Sequence, residues 1–516
     1  MPDDPTSTDD TGSATSGWTP PASAEVHETW PGPDGPVAVT TRAEWIVLRE
    51  EDRPVAELFS VACTADDAGA DRPVTFVFNG GPGASSAYLH LGALGPRRVA
   101  FAADGTLLPP PSRLVDNTES WLAFTDLVFV DPVGTGFSRV VDHGTTREPN
   151  APNGSAASGQ RDKDDPKPDP KAFFGVKRDL ESLGEFVTRW LSTHERWSSP
   201  VLIAGESYGG FRAAKLVRSL PETWGVGLSG AILISPAMEF ATLDPTDYDV
   251  LPWVDLLPTM AAAAAHHGRS RAFDRDTPLD DVLAGAREFA TGPLLTALVR
   301  GASMPADDRD EVLGRLADLL GLDAALVSRA EGRISMEVFA RELLRDEGRR
   351  LALYDASQWV RDPFPDRDSF GGPDPSLMGI GRVYAAGINQ RLRGEIGVET
   401  DRPYELLSYD VNESWKVDLD NRHGLDGPIG ATDDLRYGMA LDPSVQVLVT
   451  HGYYDLVTPF HASDRLRDLM RLDPDTAARV HLQHFPGGHM FYGWDASRRD
   501  FRDLVAGFYD DAVRLD

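Results

Sequence analysis

The sequence, 516 residues long, predicts an α/β fold with a mostly parallel central sheet, helices on both faces and a helical cap insertion. Short continuous runs of Val, Ile, Leu and Phe are typical of strands that are buried on both faces. Helical patterns alternate with these runs, as expected for a sheet covered on both sides. The stretch of about residues 240–435 has helical patterns but no such apolar runs, and it is therefore predicted to be the cap insertion. The apolar runs are VTFVF, DLVFV, VLIA, AILI and VQVLV.

Two hairpins are predicted in the first part of the chain. The β-rich runs VAVTTRAEWIVLRE and PVAELFSVACT are separated by three charged residues, Glu51, Asp52 and Arg53, and such a break between strand patterns indicates a turn. The dipeptide Asp104-Gly105 lies between two short apolar stretches, which is a second hairpin signal.

Helices are predicted where apolar residues recur every three to four positions. This spacing occurs in KAFFGVKRDLESLGEFVTRWLSTH and in FRAAKLVRSL, which follows Ser207 closely. Within the insertion, DEVLGRLADLLG and SMEVFARELLRDEG have the same character.

The chain therefore divides into four predicted segments. The polar, acidic start is predicted to be disordered, and the Pro-, Asp- and Ser-rich residues 143–170 are predicted to form a mobile surface loop. The four segments are 1–25 (disordered tail), 26–240 (first part of the α/β core), 241–435 (mostly helical cap insertion) and 436–516 (second part of the core).

Composition excludes several classes of protein. Lys and Arg number 50 against 81 Asp and Glu, a formal net charge of −31, which argues against a general nucleic-acid binder and a polybasic membrane-surface protein. The single cysteine, Cys63, cannot form an internal disulfide or a cysteine-based zinc site. The start lacks a secretory signal pattern, and no stretch resembles a membrane-spanning run. We expect a reduced, cytoplasmic protein with no metal, cofactor, nucleic-acid or membrane partner; a homo-oligomer stays open.

A candidate nucleophile lies in the sequence Gly205-Glu206-Ser207-Tyr208-Gly209, which has the form G-x-S-x-G. It follows the strand-like run VLIA and precedes a helical pattern. A sharp strand-to-helix turn presents a serine hydroxyl at the edge of a sheet. The structural alternative is a glycine-rich turn with a capping serine.

The serine needs a base, and the base needs an acid to orient it. His489 follows the last strand-like run and two glycines, so we take it as the base. Asp455 ends the run VQVLVTHGYYD, so we take it as the acid. The order Ser207, Asp455, His489 is the order in which one large class of hydrolases carries its triad. Asp131 also ends a strand-like run but precedes Ser207; His451 and His461 flank Asp455 and are expected to make local hydrogen bonds.

An oxyanion hole is predicted at Asn79-Gly80-Gly81-Pro82-Gly83, which follows the run VTFVF. Glycines at a strand end can present backbone N–H groups to an oxygen. The expected donors are the N–H groups of Gly81 and Tyr208. The alternative is an ordinary Gly-Pro turn.

Several motifs occur here in one order: NGGPGASS, NTESW, FVDPVGTGFS, AGESYGG, DLVTP and GGHM. Together they resemble the serine carboxypeptidase family, most densely over residues 74–237 and 445–492. The later part of the insertion, PSLMGIGRVYAAGINQRLRGEIG, resembles bacterial members. A plain esterase would share the serine turn but not this set.

The resemblance implies an α/β-hydrolase fold and release of C-terminal amino acids from peptides. It implies that Asn79, Gly80 and Glu206 bind the terminal carboxylate of the substrate, and that Met490 lines the pocket for the leaving residue. Two departures matter. Many relatives have a disulfide-bonded Cys where Ala84 stands, and many have an acidic residue where Ala93 stands, which cooperates in carboxylate recognition.

Two other functions stay open. An esterase or acyltransferase would use the same triad without needing a free carboxylate on the substrate. A catalytically silent binding protein would not be labelled by a fluorophosphonate probe. Side-chain preference, pH optimum and oligomeric state are not predicted by the sequence.

Overall fold

The computed structural model describes residues 20–66, 68–69, 71–141, 169–243, 245–367, 374–417 and 429–513. Most of the predicted surface loop 143–170 and most of the predicted tail lie outside these residues. A β-strand begins at Ala24, within two residues of the predicted end of the tail.

Strands form one large sheet and two small hairpins. The strands are β1 (Ala24–Gly32), β2 (Gly35–Glu50), β3 (Arg53–Ala65), β4 (Val74–Phe78), β5 (Arg97–Val99), β6 (Leu114–Asp116), β7 (Asp126–Val130), β8 (Arg139–Val140), β9 (Val201–Glu206), β10 (Gly230–Ile234), β11 (Arg349–Leu351), β12 (Trp359–Arg361), β13 (Gln446–Gly452) and β14 (Val480–Phe485).

The large sheet has the order β1-β2-β3-β7-β4-β9-β10-β13-β14, with β8 also paired to β3. From β7 to β14 every neighbouring pair is parallel, whereas β1, β2 and β3 form an antiparallel meander. The carboxyl ends of β4, β9, β10 and β13 therefore meet at one edge, which is where ligands bind in open α/β sheets.

Helices cover both faces of the sheet and form most of the long segment between β10 and β13. The helices are α1 (Ala87–Leu89), α2 (Val176–Thr193), α3 (Tyr208–Ser219), α4 (Leu251–His266), α5 (Leu279–Phe289), α6 (Leu295–Arg300), α7 (Ala306–Leu320), α8 (Ala324–Arg329), α9 (Met336–Glu342), α10 (Pro375–Asn389), α11 (Tyr409–Glu413), α12 (Thr432–Leu441), α13 (Phe460–Leu469), α14 (Pro474–Ala477) and α15 (Asp495–Ala512).

Two apolar clusters lie on opposite faces of the sheet. One joins the strands to α2, α3 and α12, and the other joins them to α10 and α15. The strands predicted from continuous apolar runs, β4, β7, β9 and β10, are buried along their whole length. Burial on both faces is the reason that these strands have no alternating polar positions.

The segment between β10 and β13 is not uniform. Helices α4 to α9 build a third apolar cluster with Tyr454, Leu456 and Phe460, which follow β13. Helix α10 packs instead in the cluster on the α15 face of the sheet, through Tyr384 and Ile388. The segment also contains the hairpin β11–β12. The predicted boundaries at 240 and 435 stay a prediction.

One helical run among the described residues, Leu279–Ser303, is apolar and long enough to span a membrane by length and composition alone. The sequence analysis did not expect such a stretch. Buried helices of ordinary cores pass the same test, and Leu283, Phe289, Leu294 and Leu298 of this run pack in the third apolar cluster.

The two predicted hairpins differ in extent. β2 and β3 pair along most of their length around Glu51 and Asp52, both of which have positive φ. Around Asp104-Gly105 the strands reduce to a single bridge between Phe101 and Leu107.

Candidate active site

Ser207 lies in the turn between β9 and α3, with φ 61° and ψ −123°. The backbone of a non-glycine residue with positive φ is strained, and such strain persists only where surrounding contacts enforce it. Here Ser207 N–H donates to Ile234 O at 2.9 Å, and Ser207 O accepts from Gly210 N–H at 2.9 Å and Ala237 N–H at 3.1 Å. The predicted strand–turn–helix arrangement is therefore present.

The segment predicted as an oxyanion hole lies against this turn. A Cβ added to Gly80 would be 2.5 Å from Tyr208 N and 2.9 Å from the Ser207 Cβ, so only glycine fits. The approach follows from strand order, because β4 and β9 are parallel neighbours and Phe78 pairs with Gly205. Gly81 has φ +100°, and Tyr208 is the first residue of α3. The N–H groups in the first turn of a helix have no carbonyl of their own helix to bond, which suits them to an oxyanion.

The predicted acid and base are in contact. His489 Nδ1 lies 2.7 Å from Asp455 Oδ2, and both side chains are buried. Asp455 Oδ1 accepts the N–H groups of Val457 and Thr458 at 2.9 and 3.0 Å. When Nδ1–H donates to the carboxylate, the Nε2 lone pair is left to accept a proton.

Two residues that the sequence analysis missed connect the loops of the site. Ser235 Oγ donates to His489 O at 2.9 Å, and Ser235 N–H donates to Thr450 O at 2.7 Å. The Thr458 hydroxyl lies 2.6 Å from Asp455 Oδ2 and 3.1 Å from both Ser235 O and His489 Nδ1. Ser235 follows β10 directly, so its position at the sheet edge was the available signal.

The pKa of His489 is raised. Burial alone would lower it, but the charge and hydrogen bond of Asp455 and the charge of Glu206 together outweigh burial. The imidazolium is thus stabilised by two carboxylates, which favours the protonated state that forms when the base takes a proton.

Glu206, directly before Ser207, is a buried carboxyl. Tyr492 OH donates to its Oε1 at 2.6 Å, and Asn79 Nδ2 donates to its Oε2. Burial raises the pKa of Glu206 to about 7, against the opposing effects of His489, Tyr492 and Asn79. The carboxyl therefore changes its charge near neutral pH.

Asn79 is fixed in one orientation. Its Oδ1 accepts Leu89 N–H at 2.9 Å, so its Nδ2 must point to Glu206. Its carbonyl accepts from the buried guanidinium of Arg212 at 2.6 Å, and Arg212 Nε donates to Asp179 at 2.7 Å. This support explains the position of Asn79, but no sequence pattern had indicated Arg212 or Asp179.

Met490 lines a cavity of about 360 Å³ beside the His489 loop. Aromatic and apolar side chains dominate the wall, among them Tyr354, Ile380, Tyr384 and Trp494. The ring of Tyr354 stands perpendicular to the His489 ring, with centroids 5.2 Å apart, so the cavity opens next to the base.

The alternative residues lie elsewhere. Asp131 Oδ1 accepts Ser86 N–H at 2.9 Å and the Tyr404 hydroxyl at 3.2 Å, and burial raises its pKa to about 7. His451 bonds locally to Thr458 O and Ser463 Oγ, as expected. For His461 that expectation was wrong, because neither ring nitrogen has a partner among the described residues. No cluster of three metal-ligating side chains occurs in the part of the chain that is described.

Comparisons with known proteins show what this chain is similar to. Residues 31–235 match the family model described as serine carboxypeptidase. The resemblance to the serine carboxypeptidase family is therefore confirmed over this part of the chain. The α/β-hydrolase fold is likewise present, since the crystal structure of KEX1(delta)p, a prohormone-processing carboxypeptidase from Saccharomyces cerevisiae, aligns over 92% of this chain and 91% of that chain. The TM-score is 0.53 at 18% sequence identity.

Sequence relatives carry the same family name. Serine carboxypeptidase-like 12 of Arabidopsis thaliana is 26% identical over 192 residues, 37% of this chain and 37% of that protein. Pheromone-processing carboxypeptidase KEX1 of Saccharomyces cerevisiae is 31% identical over 169 residues, 31% of this chain and 19% of that protein. The matched segments thus span little more than a third of these relatives at most.

Ala93 stands where the resemblance implied an acid, and no second carboxyl bonds Glu206 among the described residues. Ala93 is buried, and its carbonyl accepts from Asn117 Nδ2 at 2.6 Å. The second contact to Glu206 comes instead from the Tyr492 hydroxyl. A tyrosine hydroxyl both donates and accepts, so it can bond Glu206 in either protonation state.

Proposed function

We propose that this protein is a serine carboxypeptidase that releases C-terminal amino acids from peptides through an acyl-enzyme. The observation that carries the proposal is Glu206, a carboxyl with a pKa of about 7, held by Asn79 and Tyr492 and adjacent in sequence to Ser207. A buried carboxyl that is neutral below pH 7 can donate a hydrogen bond to a substrate carboxylate, whereas a plain esterase has no use for one.

In the proposed reaction, Ser207 Oγ attacks the scissile carbonyl carbon and its proton passes to His489 Nε2. The N–H groups of Gly81 and Tyr208 stabilise the oxyanion. The C–N bond then breaks, and the leaving amine takes the proton from His489. Water repeats the sequence on the ester: His489 accepts a water proton, hydroxide adds to the carbonyl, and Ser207 leaves with that proton. No step uses a metal or an organic cofactor.

The terminal carboxylate would bind at Asn79, Gly80 and Glu206. Two ionised carboxylates in a buried site repel each other strongly, so Glu206 assists only when protonated. Met490 and the cavity beside it would take the side chain of the residue that leaves.

The test is a panel of peptides offered in pairs, once as free acids and once as C-terminal amides, with products identified by mass spectrometry. A carboxypeptidase cleaves the free acids with much lower KM. Equal cleavage of both forms, or preference for simple esters, would favour the esterase or acyltransferase alternative. No cleavage and no labelling by a fluorophosphonate would leave only a binding function.

We expect Glu206→Gln to make the KM for peptide acids nearly independent of pH. One pH unit above a pKa of 7, only about a tenth of Glu206 is protonated, so the variant should bind acids about tenfold better than the wild type at pH 8. The Gln oxygen would accept from Asn79, whose amide is fixed, leaving the Gln N–H₂ for the substrate. Because Glu206 also raises the pKa of His489, the variant should keep its activity to lower pH.

Matched amide substrates are the control for this variant. Their KM should barely change, because they carry no carboxylate. If Glu206→Gln shifts the KM of acids and amides alike, Glu206 does not bind the terminal carboxylate and the esterase alternative gains.

We also propose that the protein works in the cytoplasm. Support comes from Cys63, which is buried with its thiol pKa raised to about 12 by burial, and is the single cysteine of the sequence. Folding would not depend on an oxidising compartment. Cell fractionation with an antibody to the protein tests the location, and light scattering tests whether it forms a homo-oligomer.

A further inference from the structure

We propose that Asp355 and Tyr354, in the turn of the β11–β12 hairpin, are positioning residues. They hold the loop that carries Asp455 (the acid loop) and the loop that carries His489 (the base loop) at a fixed distance from each other. The inference rests on the proposed function. It concerns a segment far from both loops in sequence, between helices of the insertion and α10.

The turn binds the base loop through consecutive residues. His489 N–H donates to Tyr354 O at 2.5 Å, and the Tyr354 ring packs perpendicular to the imidazole. A Cβ added to Gly488 would lie 2.1 Å from Tyr354 O and 2.4 Å from Asp355 Cα. The backbone of the turn therefore lies directly on the two residues that carry the imidazole.

The same turn binds the acid loop on both sides of Asp455. Ala356 N–H donates to Tyr454 O at 2.8 Å, and Leu456 N–H donates to Leu353 O at 3.2 Å. One short segment thus makes backbone hydrogen bonds to both loops. The 2.7 Å hydrogen bond between Asp455 and His489 joins these two loops, so the distance between the loops determines the length of that bond.

Asp355 maintains the shape of the turn. Its Oδ1 accepts Ser357 N–H at 3.0 Å and Ser357 Oγ at 2.5 Å, and its Oδ2 accepts Trp494 Nε1 at 3.2 Å. The Gly488 N–H also favours the ionised carboxylate. Three of these partners, the Ser357 and Gly488 N–H groups and Trp494 Nε1, can only donate, which favours the ionised carboxylate.

Protonation of Asp355 should therefore loosen the turn. Burial raises the pKa of Asp355 to about 6 in spite of its donors. The groups that face it are Ser357 and Trp494 on the two sides, the Gly488 amide and the hydroxyl of Tyr454, whose pKa is raised to about 12 and which stays neutral. Below pH 6 the enzyme would lose activity by two protonations, one on His489 and one on Asp355.

The experiment measures kcat and KM against pH for an N-blocked amino-acid ester, which avoids the carboxylate site, together with the rate of fluorophosphonate labelling. Wild-type log kcat/KM should fall with a slope steeper than one just below pH 6, because protonation of Asp355 adds a loss of about tenfold to the loss caused by protonation of His489. Asp355→Asn should have a slope of about one, about tenfold lower kcat and labelling rate at neutral pH, and an unchanged KM, because misplacement of the base affects the reaction and not binding.

The matched control is Asp323→Asn, which removes a carboxylate that caps α8 in the same insertion without contacting the triad loops. It should match the wild type in kcat and slope. If Asp355→Asn does not fold, Trp494→Phe replaces it: the variant loses one donor to Asp355, so the second protonation should move to higher pH.

Unchanged kcat and a slope as steep as that of the wild type in Asp355→Asn would overturn the inference while leaving the proposed function intact. The inference is also overturned if Trp494→Phe does not shift the pH at which activity falls on the acid side of the profile. A wild-type protein without Ser207-dependent labelling would overturn the proposed function and this inference together.

Discussion

Replacing Ser207 by Ala is expected to lower the turnover of peptide acids by about a million-fold and to abolish fluorophosphonate labelling. The Ala side chain has no oxygen to attack the carbonyl at position 207, which occupies the strained turn beside Gly80 and Tyr208. Both readouts are needed, because labelling reports the nucleophile without any assumption about the substrate.

The fold should survive this change. Ser207 is held by its backbone N–H and carbonyl, which Ala keeps, so the thermal unfolding midpoint should stay close to that of the wild type. Ser192→Ala, on the exposed surface of α2, is the matched control and should label at the wild-type rate. Near-normal turnover in Ser207→Ala would refute the whole assignment of the site.

Parts of the fold that depend on burial are predictable from the sequence. β4, β7, β9 and β10 are recognisable because a strand buried on both faces must be apolar throughout. β1 was not predicted as a strand, because it is a polar edge strand with Trp30 as its one fully buried residue. Its backbone pairing with β2 stabilises it, and because any residue can form backbone hydrogen bonds, the amino-acid composition does not reveal them.

The same distinction applies to the site. Ser207, Asp455 and His489 follow strands of one sheet, and the ends of parallel strands meet at one edge, so their placement at that edge could be predicted. Tyr354 and Asp355 come from a hairpin inside the helical segment, and their contact with His489 spans a large sequence separation. Nothing local in the sequence indicates such a contact.

Asp455→Asn should lower turnover by about four orders of magnitude with little loss of stability. The Asn oxygen can still accept the Val457 and Thr458 N–H groups that Asp455 Oδ1 accepts now. Its N–H₂ group would then face His489 Nδ1 and donate to it. That hydrogen bond selects the wrong tautomer, with the proton on Nε2, so His489 can no longer accept a proton from Ser207. Turnover and labelling rates, with the unfolding midpoint, measure the effect.

Asp131→Asn is the matched control, because Asp131 is also a buried carboxyl that follows a buried strand. Its Oδ1 supports Ser86 N–H and accepts from Tyr404, and an Asn oxygen can do both. Since the pKa of Asp131 is about 7, about half of it is already neutral at pH 7, and removing the charge changes little. We expect turnover within about tenfold of the wild type, as no bond to His489 is lost. If Asp131→Asn proves more damaging than Asp455→Asn, then the carboxylate that orients the base has been misassigned, and the 2.7 Å contact between Asp455 and His489 does not govern the tautomer.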